Sequence, residues 1–205
     1  MGHIVLARDS AESRIGNFLG DFVKGLPSSF PEEYGAELVD GILMHRAVDV
    51  FTDAHPAFLR ARALLAPERR RFAGIVVDIV FDHFLSLEWH ALMGKGREGF
   101  IRGFYSEISS YRIPLVVDGF PAICERMIRQ DWLGSYATLE GIELTIRRVS
   151  SRSTRLTPMI GASDDFEEHF DAFRDCFEEF FPDEEGFARQ WQQKRSPESG
   201  FQDKA

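Results

Sequence analysis

The 205-residue chain has little cysteine and no long apolar run. Its two cysteines, Cys124 and Cys176, cannot build a disulfide framework or a C-x-x-C zinc signature. No segment reaches the roughly 18–20 apolar residues that span a bilayer, and the apolar run near the start is too short for a signal-peptide core. These absences predict a cytoplasmic protein without a membrane partner.

Basic side chains are outnumbered by acidic ones, 24 to 33, which gives a formal charge of −9. An acidic total argues against broad nucleic-acid binding, so we expect no nucleic-acid partner. The chain also has no P-loop, no G-x-G-x-x-G and no G-x-S-x-G motif. Nucleotide binding of those kinds is therefore unsupported, and Ser-His-Asp chemistry is the weaker interpretation.

Apolar residues are plentiful: they form 44% of the chain, and phenylalanine alone contributes 19 residues, which excludes wholesale disorder. They recur at helical spacing almost everywhere, and sustained strand alternation is absent. The clearest face carries Phe166, Phe170, Phe173, Phe177 and Phe180. We predict an all-α fold, a single-domain helical bundle over residues 1–195, and a polar flexible tail over residues 196–205.

Charged residues stand inside an apolar helix that we predict over residues 68–92. In IVVDIVFDHFL, Asp78 and Asp82 are four residues apart and share one face, and His83 adjoins them. A buried carboxylate is normally paired, protonated or bound to a metal ion. In the structural alternative, the carboxylates cap helices or form salt bridges with arginine. Two acids beside a histidine make this alternative less favoured than a functional site.

A second predicted helix, opened by Pro31, repeats the arrangement in GILMHRAVDVFTD. His45, Asp49 and Asp53 follow at intervals of four, and Arg46 precedes Asp49 by three. The stripe presents one imidazole and two carboxylates. An exposed face laced by Arg46–Asp49 pairing is the alternative interpretation, and the stripe alone does not decide between them.

The preceding helix offers Asp21 within GNFLGDFVKG. Glycines at 16, 20 and 25 are costly in a helix and indicate close approach to the backbone. Three such stripes can converge only in the bundle interior, where Asp and His form a mixed set suited to Mn²⁺, Mg²⁺, Fe²⁺ or Zn²⁺. Metal-assisted hydrolysis of a phosphate ester is the natural inference. His3, beside an apolar run, is a candidate to support this site.

Arginines cluster in two places despite the acidic total. One group surrounds Arg69, Arg70 and Arg71, and the other spans residues 147–155. Either group is also consistent with an ordinary solvated face. A basic patch beside a phosphate-cleaving site would suit an acidic or phosphorylated ligand.

The three motifs GNFLGDFVKG, GILMHRAVDVFTD and VVDIVFDHFLS, in this order and spacing, resemble the acyl carrier protein phosphodiesterases. The resemblance implies a helical, HD-domain-like fold similar to the HD-type metal phosphohydrolases. It also implies removal of 4′-phosphopantetheine from holo acyl carrier protein, by cleavage of the phosphodiester to serine. A divalent cation is implied as cofactor, with Mn²⁺ expected and Mg²⁺, Fe²⁺ or Zn²⁺ as alternatives.

Carried over by motif, the resemblance assigns metal ligands and catalytic groups. The predicted metal ligands are Asp21, His45, Asp49, Asp78, Asp82 and His83. Arg46 completes the predicted catalytic set, either by stabilising phosphorane charge or by orienting Asp49. Asp53 and His3 are predicted to contact the metal ligands and orient them, without binding the ion themselves.

Acyl carrier proteins are strongly acidic, so two negative proteins must meet through a local positive surface. Arg69, Arg70 and Arg71 are the first candidates because their helix also carries Asp78 and Asp82. Two other functions remain open: hydrolysis of a small nucleotide by an HD-like phosphohydrolase, and carrier-protein binding by a non-catalytic helical module.

Overall fold

The computed structural model describes residues 1–112 and 119–195, and every regular element within them is helical. The all-α prediction is confirmed. The predicted tail at 196–205 lies outside the described residues, and the HD-like arrangement stays a prediction. Within the described part of the chain, no helix is both long and apolar enough to cross a membrane.

The helices follow one another closely along the chain. They are α1 (Gly2–Val5), α2 (Ala11–Leu19), α3 (Ala36–Ala54), α4 (Pro56–Ala63), α5 (Ala73–Leu87), α6 (Trp89–Met93), α7 (Arg97–Ser110), α8 (Phe120–Arg129), α9 (Trp132–Ser135), α10 (Leu139–Ser150), α11 (Ala162–Glu168) and α12 (Phe170–Lys194). Three 3₁₀ segments join them, at Pro27–Ser29, Pro67–Phe72 and Thr154–Met159.

The helix predicted over 68–92 is wrong at both ends. Pro67–Phe72 is a 3₁₀ segment, tied to α11 because the Ala66 amide donates to Asp165. At the other end, the backbone leaves helical geometry at Glu88, with φ −93° and ψ 7°. Trp89 is buried just beyond this point, and its indole nitrogen donates to the Lys95 carbonyl. Tertiary contacts therefore override the continuous apolar pattern.

The phenylalanine face predicted from the sequence forms a core, although the chain bends at His169 between α11 and α12. Phe166, Phe173, Phe177 and Phe180 are all buried. They pack with residues of α4, α5 and α10 into one apolar cluster. The rings of Phe81 and Phe177 meet edge-on, whereas those of Phe84 and Phe177 are stacked.

A second apolar cluster joins α2, α3, α7 and α8. The two clusters meet because Met1, Phe100 and Tyr136 pack against both. Helices α2 and α3 touch through Gly16 and Gly41: a Cβ at Gly16 would lie 2.3 Å from the Leu38 carbonyl oxygen. Only glycine permits that approach, so the position of α2 against α3 depends on it. This pair of helices brings Asp21 and His45 together.

Candidate active site

A cavity of about 770 Å³ lies where the two apolar clusters meet. Its lining draws on α1, α3, α5, α10 and α12, and on the chain just after α2. Six carboxylates line it: Asp21, Asp49, Asp53, Asp78, Asp82 and Glu184. The predicted convergence of three acidic stripes is thus observed for the acids of all three motifs.

His45 lies on α3 and is almost completely buried. Its Nε2 atom is 3.3 Å from Asp49 Oδ2 and 3.6 Å from Asp21 Oδ1. Burial alone would lower the pKa of His45, but the two carboxylates outweigh it and raise the pKa to about 9. Gly20 makes room for the ring, because a Cβ there would lie 2.2 Å from the imidazole. At Gly20, the close approach that the glycine spacing predicted is therefore an approach of the His45 ring.

His3 reaches the same point from α1. Its Nε2 atom is 3.2 Å from Asp49 Oδ1, and its ring stacks on His45 with centroids 3.9 Å apart. Burial lowers the pKa of His3, so the ring is neutral near pH 7. The hydrogen bonds to His3 and His45 lower the pKa of Asp49 against the opposing effect of burial.

His3, His45 and Asp49 form a candidate metal site, in which one ligand atom from each lies within 4.8 Å of the others. Two imidazoles and a carboxylate suit Mn²⁺, Fe²⁺ or Zn²⁺ as a donor set. The buried Nδ1 atoms of both histidines have no hydrogen-bond partner among the described residues. The residues present therefore fit a divalent cation.

Asp82 anchors the first helix. Its Oδ1 accepts from the Gly2 amide at 2.9 Å, and its Oδ2 pairs with the amino group of Met1. Both oxygens are thus occupied by α1. Because His3 follows directly in the chain, this contact positions His3 beside His45.

Asp78 and Glu184 form a second acidic group in the lining. Asp78 is accessible to solvent from the cavity, whereas protein atoms crowd its carboxylate. Burial and then Asp82 raise the pKa of Asp78 to about 8. Burial, Asp78 and Asp82 raise the pKa of Glu184 likewise to about 8. Crowded carboxylates raise one another's pKa in this way, and a divalent cation would compensate their charge.

Two predicted site residues lie outside the cavity lining and have other partners. His83 is buried outside the cavity lining, with Nδ1 2.7 Å from the Tyr136 carbonyl oxygen. Arg46 donates to the carbonyls of Val23 and Gly25, at 2.9 and 2.8 Å, and lies over the Phe30 ring.

Asp53 does line the cavity, and it pairs with Arg62 at 3.6 Å. Arg69, Arg70 and Arg71 do not line the cavity. Arg69 is paired with Asp165 at 3.4 Å, and its Nη2 atom would lie 2.7 Å from a Cβ at Gly161. Arg69 therefore holds the 3₁₀ segment to α11.

Sequence reasoning missed Glu184 and Tyr136. Glu184 follows Phe177, Phe180 and Phe181 on the buried face of α12, so an acid in an apolar stripe was the available signal. Tyr136 precedes α10, and no local pattern distinguishes it. Tyr136 contributes to the cavity lining beside Asp82, and burial followed by the charge of Asp82 raises the pKa of Tyr136 well above 10.

The fold and the cavity define an all-α protein with an interior imidazole–carboxylate site of the kind that metal-dependent hydrolases use. Residues 1–184 match the model of the acyl carrier protein phosphodiesterase family. The chain therefore belongs to that family, and the resemblance seen in the three motifs is confirmed.

Individual relatives agree with this assignment. A protein of Photorhabdus laumondii named acyl carrier protein phosphodiesterase is 37% identical over 183 residues, covering 89% of this chain and 90% of the relative. Proteins of the same name from Serratia proteamaculans and Yersinia enterocolitica are 35% and 34% identical, each over 89% of this chain and 93% of the relative. No solved structure matches the chain significantly.

Proposed function

We propose that this protein hydrolyses the phosphodiester that links 4′-phosphopantetheine to a serine of holo acyl carrier protein, releasing apo acyl carrier protein. Membership of the family supports the reaction and the substrate. The observation that carries the proposal is the meeting of His3, His45 and Asp49 in an acid-lined cavity. A phosphodiester is stable in water, and such a donor set supplies the means to activate it.

In this proposal His3, His45 and Asp49 hold a divalent cation, with Asp21 beside them. Mn²⁺ is the expected ion, and Mg²⁺, Fe²⁺ and Zn²⁺ are the alternatives. When bound, the ion would polarise the phosphodiester and lower the pKa of a water molecule bound to it to near neutral pH. Asp78 and Glu184 hold protons near pH 7, and a nearby cation would favour their ionised forms.

The chain's own residues then fix the geometry. Asp21 and Asp49 flank the His45 ring and orient it. Asp82 holds α1, and with it His3. The Tyr136 hydroxyl keeps its proton because burial and Asp82 raise its pKa, so it remains a hydrogen-bond donor to Asp82 at the cavity.

Mass analysis of holo acyl carrier protein tests the reaction. The substrate is incubated with the purified protein in EDTA, and again after Mn²⁺ is restored. We expect loss of the phosphopantetheine mass with Mn²⁺ and its persistence in EDTA. Persistence of that mass under both conditions would overturn the proposed reaction.

Two further assays separate the alternatives. Release of phosphate from free nucleotides, with none from holo carrier protein, would favour the nucleotide phosphohydrolase. Tight carrier-protein binding that survives EDTA, without release of phosphopantetheine, would favour the non-catalytic module. The predicted role of Arg70 and Arg71 in carrier-protein binding is tested by charge reversal, which we expect to raise KM far more than it lowers kcat.

A further inference from the structure

The cavity presents an electrostatic problem for the proposed substrate. Six carboxylates line it, and the phosphodiester that must enter is itself an anion. Positive groups other than the metal site must therefore offset repulsion where the substrate enters. Among the described residues that line the cavity, Arg152 is the only lysine or arginine.

Arg152 lies at the surface just beyond the end of α10. Its side chain is exposed, and so are its neighbours Ser151 and Ser153. It shares this part of the lining with Val149, on the last turn of α10, and with Leu156, in the following 3₁₀ segment. Arg152 thus reaches both the solvent and the cavity, which places it at the mouth.

Arg152 and Arg155 lack partners of their own. Neither side chain makes a hydrogen bond or an ion pair with another described residue. By contrast Arg147, on the same helix end, is paired with Glu143, and Arg69 is paired with Asp165. An arginine without an acidic partner leaves its donors available to an external carboxylate or phosphate.

Arg148 extends the same basic surface. Its guanidinium lies 5.5 Å from the centre of the Trp132 ring, and Trp132 also lines the cavity. Its Nη1 atom is buried and has no hydrogen-bond partner among the described residues. Residues 145–156 carry four arginines and no acid. The mouth of the cavity is therefore positive on this side, although the protein as a whole is negative.

We propose that an acidic carrier protein docks on a basic rim formed by Arg148, Arg152 and Arg155, and that Arg152 contacts the phosphodiester as it enters the cavity. The inference rests on the proposed function and adds the docking surface to it. The 3₁₀ segment that carries Arg155 packs against the one that carries Arg69–Arg71. The basic rim therefore continues toward the arginines first suggested by the sequence.

Charge reversal with two readouts tests this surface. Arg152→Glu and Arg155→Glu are compared with Arg102→Glu on α7, because Arg102 is 75% exposed and no residue of α7 lines the cavity. The first readout is the affinity of fluorescently labelled apo and holo carrier protein. The second is the kinetics of phosphopantetheine release. Apo carrier protein lacks the phosphodiester, so its binding reports docking alone.

We expect Arg155→Glu to weaken apo and holo binding equally, by about tenfold. Arg152→Glu should weaken holo binding more than apo binding, and Arg152→Lys should restore part of the loss. Arg102→Glu should leave both affinities within about twofold. Affinities of the two rim variants that match the Arg102→Glu control would overturn the docking surface.

Failure of the reaction is a separate result. If the wild-type protein binds apo carrier protein through these arginines but releases no phosphopantetheine, the docking surface stands and the proposed hydrolysis falls. If the wild-type protein hydrolyses the substrate and Arg152→Glu has the same KM as the wild type, the hydrolysis stands and the docking surface falls.

Discussion

The two sides of the cavity hold their carboxylates in opposite ways. On the imidazole side, His3 and His45 lower the pKa of Asp49 and keep it ionised. On the side formed by Asp78 and Glu184, burial and then the charges of neighbouring carboxylates raise the pKa of both groups to about 8. One side is therefore built around an ion pair, and the other holds carboxyl groups that keep their protons near pH 7 when no cation is bound.

This difference explains how one cavity can attract a cation and still hold it in a defined place. The imidazole side offers directed ligand atoms, which set geometry. Asp78 and Glu184 have no imidazole partner among the described residues, so their ionisation depends on a cation in the cavity. Changes on the two sides should therefore have different consequences, and the following predictions separate them in order of expected size.

The largest effect is expected on the imidazole side, from Asp49→Asn. The substitution removes the charge that both His3 and His45 contact, so activity should fall by more than about 100-fold. Release of phosphopantetheine, followed by mass analysis, measures it. Asp53→Asn is the matched control on the same helix, because Asp53 pairs with Arg62 at the surface, and activity should stay within about fivefold. Equal losses in both variants would contradict a special role for Asp49.

The next effect is on the pH dependence of metal binding. In the metal-free protein His45 has a pKa of about 9, so a bound cation must displace its proton. Mn²⁺ affinity should therefore rise by about tenfold per pH unit between pH 7 and pH 9. Calorimetric titration across this range measures the slope. An affinity that does not change with pH would show that His45 is not a ligand.

We expect a smaller effect, on the pH dependence of stability, from Glu184→Gln on the side formed by Asp78 and Glu184. In the metal-free protein the pKa of Glu184 rises from 4.5 to about 8 on folding. The unfolded state thus loses its proton first, and the free energy of unfolding of the wild type falls as pH rises from about 5 to about 8. The variant lacks this dependence, so its advantage should grow by about 3.5 kcal/mol across the window.

Denaturant unfolding at several pH values, in EDTA, measures this difference. Glu185→Gln serves as the control, because Glu185 pairs with Arg189 at the surface. A wild-type stability that changes with pH in parallel with Glu184→Gln would mean that Glu184 is ionised in the folded protein.

The smallest effect is expected from Arg46→Ala. Arg46 follows His45 in the sequence but binds the carbonyls of Val23 and Gly25, so its loss should lower the free energy of unfolding by about 1–2 kcal/mol. At saturating metal, kcat should change little. A large fall in kcat with unchanged stability would restore the predicted catalytic role of Arg46.

Much of the fold followed from local pattern, because helical apolar spacing and the glycines of α2 report directly on packing. The breaks at Phe72, Glu88 and His169 did not, since each depends on contacts with distant parts of the chain. Periodicity shows which face of a helix is apolar, and it does not show where tertiary contacts interrupt the helix.

The candidate site was likewise predictable from the sequence only in part. The i to i+4 spacing of His45 and Asp49 predicted their shared face, and they do contact one another. Helical spacing could not show which side of an apolar helix faces the cavity, and so it did not place His83. His83 contacts the Tyr136 carbonyl oxygen outside the cavity lining. His3 was only a supporting candidate, because its place beside His45 depends on how Asp82 holds α1. That contact spans some eighty residues and leaves no local signature.

Titration of the metal-free protein with Mn²⁺ tests the central claim most directly. We predict one saturable site in the wild type and in Asp53→Asn, and loss of that site in His3→Ala, His45→Ala and Asp49→Asn. Binding of Mn²⁺ with wild-type affinity by all three of the latter variants would contradict the claim that His3, His45 and Asp49 hold the cation.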